Sequence, residues 1–229
     1  MNRSTSHRAT SISISAAVGA LALLTVLLFG NVALAQSAES ICGNPFQNHF
    51  GPWDYRTARK EDIKIVENAH FTAGVESMTR PKNTMLHEIA QDVAYTLGVF
   101  PNHHRALLTM VRLSEKYKRD PPPGTNMSLD CYFDRAIRFR PDDTVARSLY
   151  AQFLGKRKRK DEAIQHLEVA IKQAVDNPIS QYTIGTVFLE LGEFDRALAQ
   201  AHKARAMGLE WRELEDILKA SGRWKDPVQ

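Results

Sequence analysis

Apolar and polar positions along the chain follow three successive patterns. The first is a nearly unbroken apolar run from Ala16 to Phe29, preceded by Arg3, His7 and Arg8 and followed by Ala33-Leu34-Ala35. The second, residues 36–81, has no sustained period. Turn formers alternate with aromatics in Asn44-Pro45-Phe46, Phe50-Gly51-Pro52-Trp53 and Tyr55, and only Asp62 to Ala69 carries a short helical spacing. From Asn83 onward apolar residues fall three or four apart. Leu86, Ile89, Val93 and Leu97 do so, as do Leu107, Met110 and Leu113, and again Ala163, Leu167, Ala170 and Ala174. That spacing lines one face of an α-helix. No stretch alternates long enough to build a sheet. Pro121-Pro122-Pro123-Gly124 interrupts the helical pattern once, because consecutive prolines remove the backbone donors a helix needs. The pattern predicts an all-α fold, with a leading helix near 84–98 and a last helix from about Glu210 to Ala220.

Within the helical part the pattern repeats. Asp161-Glu162-Ala163-Ile164 and Asp195-Arg196-Ala197-Leu198 stand 34 residues apart, and each is followed seven residues on by another alanine, Ala170 and Ala204. With Ile184-Gly185, Phe188, the turn Gly192-Glu193-Phe194 and the ending Ala136-Ile137-Arg138-Phe139-Arg140-Pro141, these residues resemble the tetratricopeptide repeat, a helix-turn-helix unit of that period. The resemblance implies a right-handed α-solenoid of three units, 104–143 with a proline-rich insertion, 144–177 and 178–211. A leading helix lies in 82–103 and a capping helix and tail in 210–229, while 36–81 is an irregular, aromatic-rich amino-terminal segment. Lys158 stands where the family's turn has glycine, and Val111 and Leu129 where it prefers small residues. The stretches Gly51-Pro52-Trp53-Asp54-Tyr55-Arg56 and Phe100-Pro101-Asn102-His103-His104-Arg105 are also similar to those of uncharacterised exported bacterial tetratricopeptide proteins.

In that family the first helices of successive units line a concave groove that holds a peptide or a partner's helix. The resemblance places Arg105, Leu108, Arg112 and Lys116 there, then Val145, Ser148, Gln152 and Lys156, then Ile179, Tyr182, Thr186 and Glu190. The first two sets make the expected groove basic, suited to an acidic or carboxylate-ended segment that Arg105 and Arg112 could hold bidentately. The Lys and Asn pattern with which some tetratricopeptide domains clamp chaperone tails is absent. Phe46, Phe50, Trp53 and Tyr55 could cap the first helices, lie in the groove, or extend as a partner-binding arm.

The apolar run with its basic start and small-residue end reads as a secretory signal over residues 1–35. The stretch from Ile12 to Phe29 also approaches the ~18 residues of a membrane span, so an uncleaved anchor is the alternative. Either places the rest outside the cytoplasm, in a bacterial periplasm or at the inner membrane. There Cys42 and Cys131 could pair or remain two buried thiols. Removing residues 1–35 leaves 194 residues with 28 Lys+Arg against 26 Asp+Glu, too even a balance to demand a nucleic-acid partner.

Position of charge matters more than its sum. Lys156-Arg157-Lys158-Arg159-Lys160 falls on the turn of the unit 144–177 and reads either as a solvated turn or as a contact for anionic lipid or an acidic partner. Seven histidines are scattered through the mature chain without metal-binding spacing. No Gly-rich phosphate loop, G-x-S-x-G or CxxC is present. The expectation is a chain without catalysis, cofactor or metal, acting as a protein–protein interaction scaffold of the cell envelope. Its alternatives are a membrane-anchored assembly accessory that touches lipid through residues 156–160, and an enzyme whose site assembles only in space.

Overall fold

A computed structural model describes residues 41–79 and 86–226. The signal or anchor assigned to residues 1–35, the start of the leading-helix segment and the last three residues of the tail lie outside the described residues. Short polar side chains start four of the helices that follow. Thr72, Ser128, Asp143 and Asn177 each accept a hydrogen bond from a backbone N–H in the first turn, and Pro178 occupies the first turn after Asn177. His103 does the same through its imidazole.

Ten α-helices and no strand occur among the described residues. They are α1 (Lys60–His70), α2 (Ala73–Glu76), α3 (Leu86–Val99), α4 (His104–Tyr117), α5 (Leu129–Phe139), α6 (Thr144–Lys156), α7 (Lys160–Gln173), α8 (Pro178–Glu190), α9 (Phe194–Ala206) and α10 (Glu213–Ala220). Within the segment 36–81, α1 falls on the short helical pattern from Asp62 to Ala69 and α2 follows it. None of these helices is long and apolar enough to cross a membrane.

Several helices end alike. Lys118, Lys158, Gly192, Gly208 and Gly222 all have positive φ, and the next residue's N–H reaches back to a carbonyl of the preceding helix's last turn. This closure satisfies carbonyls the helix itself leaves open. Lys158 (φ 62°) therefore takes the conformation that Gly192 (φ 74°) takes 34 residues later.

Consecutive helices pack as pairs, α6 on α7 and α8 on α9, and the first helices of successive pairs also touch, α4 on α6 and α6 on α8. Small residues permit the close approach: Ala163, Ala170, Ala197 and Ala204 are fully buried. A Cβ on Gly185 would meet Gln200 Cβ at 3.0 Å and Leu214 Cδ2 at 2.8 Å. One core runs through the pairs, from Leu107, Met110 and Leu113 through Phe133, Leu154 and Leu167 to Ile184, Phe188, Leu214 and Leu218. Burying each large side chain contributes about 1.5–3 kcal/mol. A second cluster of Val66, Val99 and Phe100 lies under Trp53, Tyr55, Ala58 and Ile63.

Candidate functional site

Two places bring together more than packing residues. The first joins the amino-terminal segment to the helices. Asn102 is fully buried and uses its whole amide: Nδ2 donates to Asp54 Oδ1 at 2.7 Å and to Asp143 Oδ2 at 2.8 Å, while Oδ1 accepts from the Tyr55 N–H at 3.0 Å. Arg56 grips Asp54 with Nε and Nη2, and Arg140 Nε donates to the same carboxylate at 2.8 Å. Burial alone would raise the Asp54 pKa, but the hydrogen bonds from Arg56, Asn102 and Arg140 outweigh it and hold the group well below the usual carboxylate range. Asp143 is held low in the same way: burial opposes ionisation, and His104, the Ala146 N–H and Asn102 prevail.

His103 lies at the centre of this junction. Its Nδ1 accepts from the Ala106 N–H, so Nε2 carries the proton and donates to Glu67 Oε1 at 3.0 Å. The same Glu67 oxygen accepts from the Tyr55 hydroxyl at 2.9 Å, and the Tyr55 ring stacks on His103 with centroids 3.9 Å apart. Burial pushes the His103 pKa down to about 4 against the opposing pull of Glu67. Nearby, Cys42 and Cys131 are disulfide-bonded, and Arg135 and Arg138 donate to the carbonyls of Cys42, Gly43 and Asn44. With its donors and acceptors paired to one another, this cluster ties chain segments together.

The second place is an open cleft between α6 and α8. Val145, Ser148, Leu149 and Gln152 form one wall, Tyr182, Thr183, Thr186 and Val187 the other, and Trp211 closes one end, around a cavity of about 230 Å³. Trp211 is 55% exposed and meets Tyr182 edge-on at 5.2 Å. Tyr182 is fixed because its hydroxyl accepts from the Leu214 N–H at 3.1 Å. Val145 and Ile179 are 37% and 51% exposed. On the other side of Trp211, a polar cavity of about 430 Å³ is lined by Arg205, Glu210, Arg212 and Glu215.

The residues assigned to the groove from sequence divide accordingly. Val145, Ser148, Gln152, Tyr182 and Thr186 meet in the cleft. Leu108 instead borders a small gap with Val111, Phe133, Phe153 and Lys156. Two of the basic residues expected in the groove are ion-paired. Arg105 is held bidentately by Glu76 at 2.7 and 2.8 Å, and Lys156 lies 3.1 Å from Glu115. Arg112 and Lys116 remain exposed without an ion pair among the described residues. Gln152 Nε2 donates to both oxygens of Glu190 at 2.9 Å.

Most of the basic turn is ion-paired as well. Arg157 lies 3.7 Å from Asp120, Arg159 lies 2.6 Å from Asp130 and 2.8 Å from Glu162, and Lys160 lies 2.6 Å from Glu193. Of Lys156, Arg157, Lys158, Arg159 and Lys160, only Lys158 has no ion-pair partner among the described residues. The partners Glu115, Asp120, Asp130 and Glu193 come from other parts of the chain.

The aromatic segment lies against the junction. Phe46 packs on Phe139, Trp53 on Phe100, and the Trp53 N–H donates to the Val99 carbonyl at 2.9 Å. Gly51 (φ +87°) permits this, since a Cβ there would meet that carbonyl at 2.9 Å. Sequence reasoning missed Leu149, Thr183, Val187 and Trp211 in the cleft. The signal for Trp211 was a large aromatic just after Gly208, where α9 has ended. No protein-family model matches the chain, and no curated protein matches it.

Proposed function

We propose that the chain is a non-catalytic interaction scaffold of the bacterial cell envelope, a right-handed solenoid of tetratricopeptide units that holds a peptide or partner segment against its groove. The observation that carries this reading is the cleft between α6 and α8. There Val145, Tyr182 and the half-exposed Trp211 offer apolar surface to solvent beside the polar side chains of Ser148, Gln152 and Thr186. Concave apolar surface with a few placed polar groups is how binding sites are built, and tryptophan and tyrosine dominate binding hot spots. The 34-residue recurrence of helix and turn supports the repeat assignment. The Cys42–Cys131 disulfide and the signal-like residues 1–35 support an exported location.

The test is selection of peptides from a random library on the immobilised chain, followed by titration of the selected peptides against Trp211→Ala. Binding should weaken by about ten-fold or more while the helical circular dichroism stays unchanged. Equal binding by the variant would place the peptide site elsewhere. The mass of the protein recovered from the periplasmic fraction tests export, a loss of residues 1–35 being the expected result.

A further inference from the structure

The charge around the cleft differs from the basic groove its sequence suggests. None of its nine lining residues is charged. Of the basic residues expected in the groove, Lys156 is paired with Glu115 and Arg105 with Glu76, while the unpaired Arg112 and Lys116 belong to α4, no residue of which lines the cleft. Beyond Trp211, Arg205 is held by Glu215 at 2.9 Å, and Arg212 shares its cavity with Glu210. The charge left at the cleft's other end is Glu190. It is exposed and accepts hydrogen bonds only from the amide of Gln152, with no cation in ion-pair contact among the described residues. A carboxylate has about four acceptor positions, so the Gln152 amide fixes this one at the mouth of the cleft without exhausting it.

Size and spacing narrow the occupant. About 230 Å³ is below the ~300–1,000 Å³ of sites that enclose whole small molecules, so the cleft fits one large side chain on a longer ligand. Glu190 follows the lining residue Thr186 by four residues, a rise of ~6 Å, and an extended peptide covers ~3.3 Å per residue. We infer that the cleft takes a basic peptide segment, in which a large apolar side chain enters between α6 and α8 and a Lys or Arg one or two residues away pairs with Glu190. This rests on reading the cleft as a peptide site.

The experiment is selection from a phage-displayed random-peptide library on the full chain, run in parallel on Glu190→Gln, Glu190→Lys and Trp211→Ala, each checked for folding by circular dichroism and thermal melting. Wild-type selections should converge on a large apolar residue with Lys or Arg one or two positions away. Synthesised singly, those peptides should bind Glu190→Gln about two- to five-fold more weakly, and the difference should shrink in high salt. Selection on Glu190→Lys should exchange the basic residue for Asp or Glu. Peptides that need Trp211 but show no basic preference, or that bind Glu190→Gln as tightly as wild type, would overturn the inference and leave the peptide site standing. If no selected peptide depends on Trp211, the site and the inference fall together.

Discussion

Mild acid should destabilise this protein through His103. The imidazole is fully buried, and burial lowers its pKa from the usual 6.5 to about 4, although Glu67 pulls the other way. Between those values the unfolded chain binds a proton that the folded chain refuses, so stability rises with pH across the window and is lost as pH falls. The interval from 6.5 to about 4, at about 1.4 kcal/mol per pH unit, amounts to about 3 kcal/mol, of which about 2 kcal/mol is gone by pH ~5. Asp54 and Asp143, held below their ordinary range, contribute their loss only at lower pH. His166 is also pushed down, by burial and by Arg147, so the informative quantity is a difference between two proteins. His103→Asn keeps a side chain that can cap α4 and removes the titration. Urea unfolding followed by circular dichroism in buffers from pH ~7 to ~5 should give wild type a steeper loss of unfolding free energy than His103→Asn, by about 2 kcal/mol over that range. Parallel profiles would refute the reasoning, since they would mean that the junction accepts the imidazolium at no cost.

Three further outcomes are expected. Cys42→Ser with Cys131→Ser opens a loop of 89 residues and should cost about 4 kcal/mol in denaturant unfolding, with retained helical content. Lys158→Gly relieves a positive φ in a lysine whose side chain makes no ion pair among the described residues, and should raise the urea midpoint by the equivalent of about 1 kcal/mol. Gly185→Val drives branched carbons toward Gln200 Cβ and Leu214, and should lower the thermal midpoint by the equivalent of about 1–3 kcal/mol, measured by calorimetry.

The helices were readable from sequence because what begins and ends them is local. Asp143, Asn177-Pro178 and Gly192 lie within a turn of the backbone groups they cap or close, so pattern and chemistry coincide at those points. Lys158 was readable as an oddity, a side chain where the turn wants none. The junction was not readable. Asn102 meets Asp54 and Asp143 across separations of 48 and 41 residues, and a helical period marks apolar faces but carries no sign that a buried asparagine will find two carboxylates. The ion pairs were hidden for the same reason: Lys156 to Lys160 are neighbours in sequence, but Glu115, Asp120, Asp130 and Glu193 reach them only through the fold. Trp211 was read as the boundary of a unit. Its exposure follows from Leu214 and Leu218 of α10 taking the buried positions beside it.

The Asp54–Asn102–Asp143 bridge also sets where the molecule can begin to come apart. Helix pairs that touch mainly their neighbours ordinarily unravel from either end, each outer pair fraying before the next. Here the amino-terminal end is not a loose end. The disulfide fastens Cys42 to α5, and the Asn102 amide joins the amino-terminal strap to the cap of α6, so α3, α4 and α5 can open only together with it. At the carboxyl-terminal end α10 buries Leu214, Glu215 and Leu218, and the described residues beyond it lie back on α9, Trp224 against His202 and Arg223 over Phe194, without a disulfide or a buried amide bridge among them. Amide hydrogen exchange should therefore run one way along the chain, fastest at α10 and α9 and slowest from α6 back to the strap.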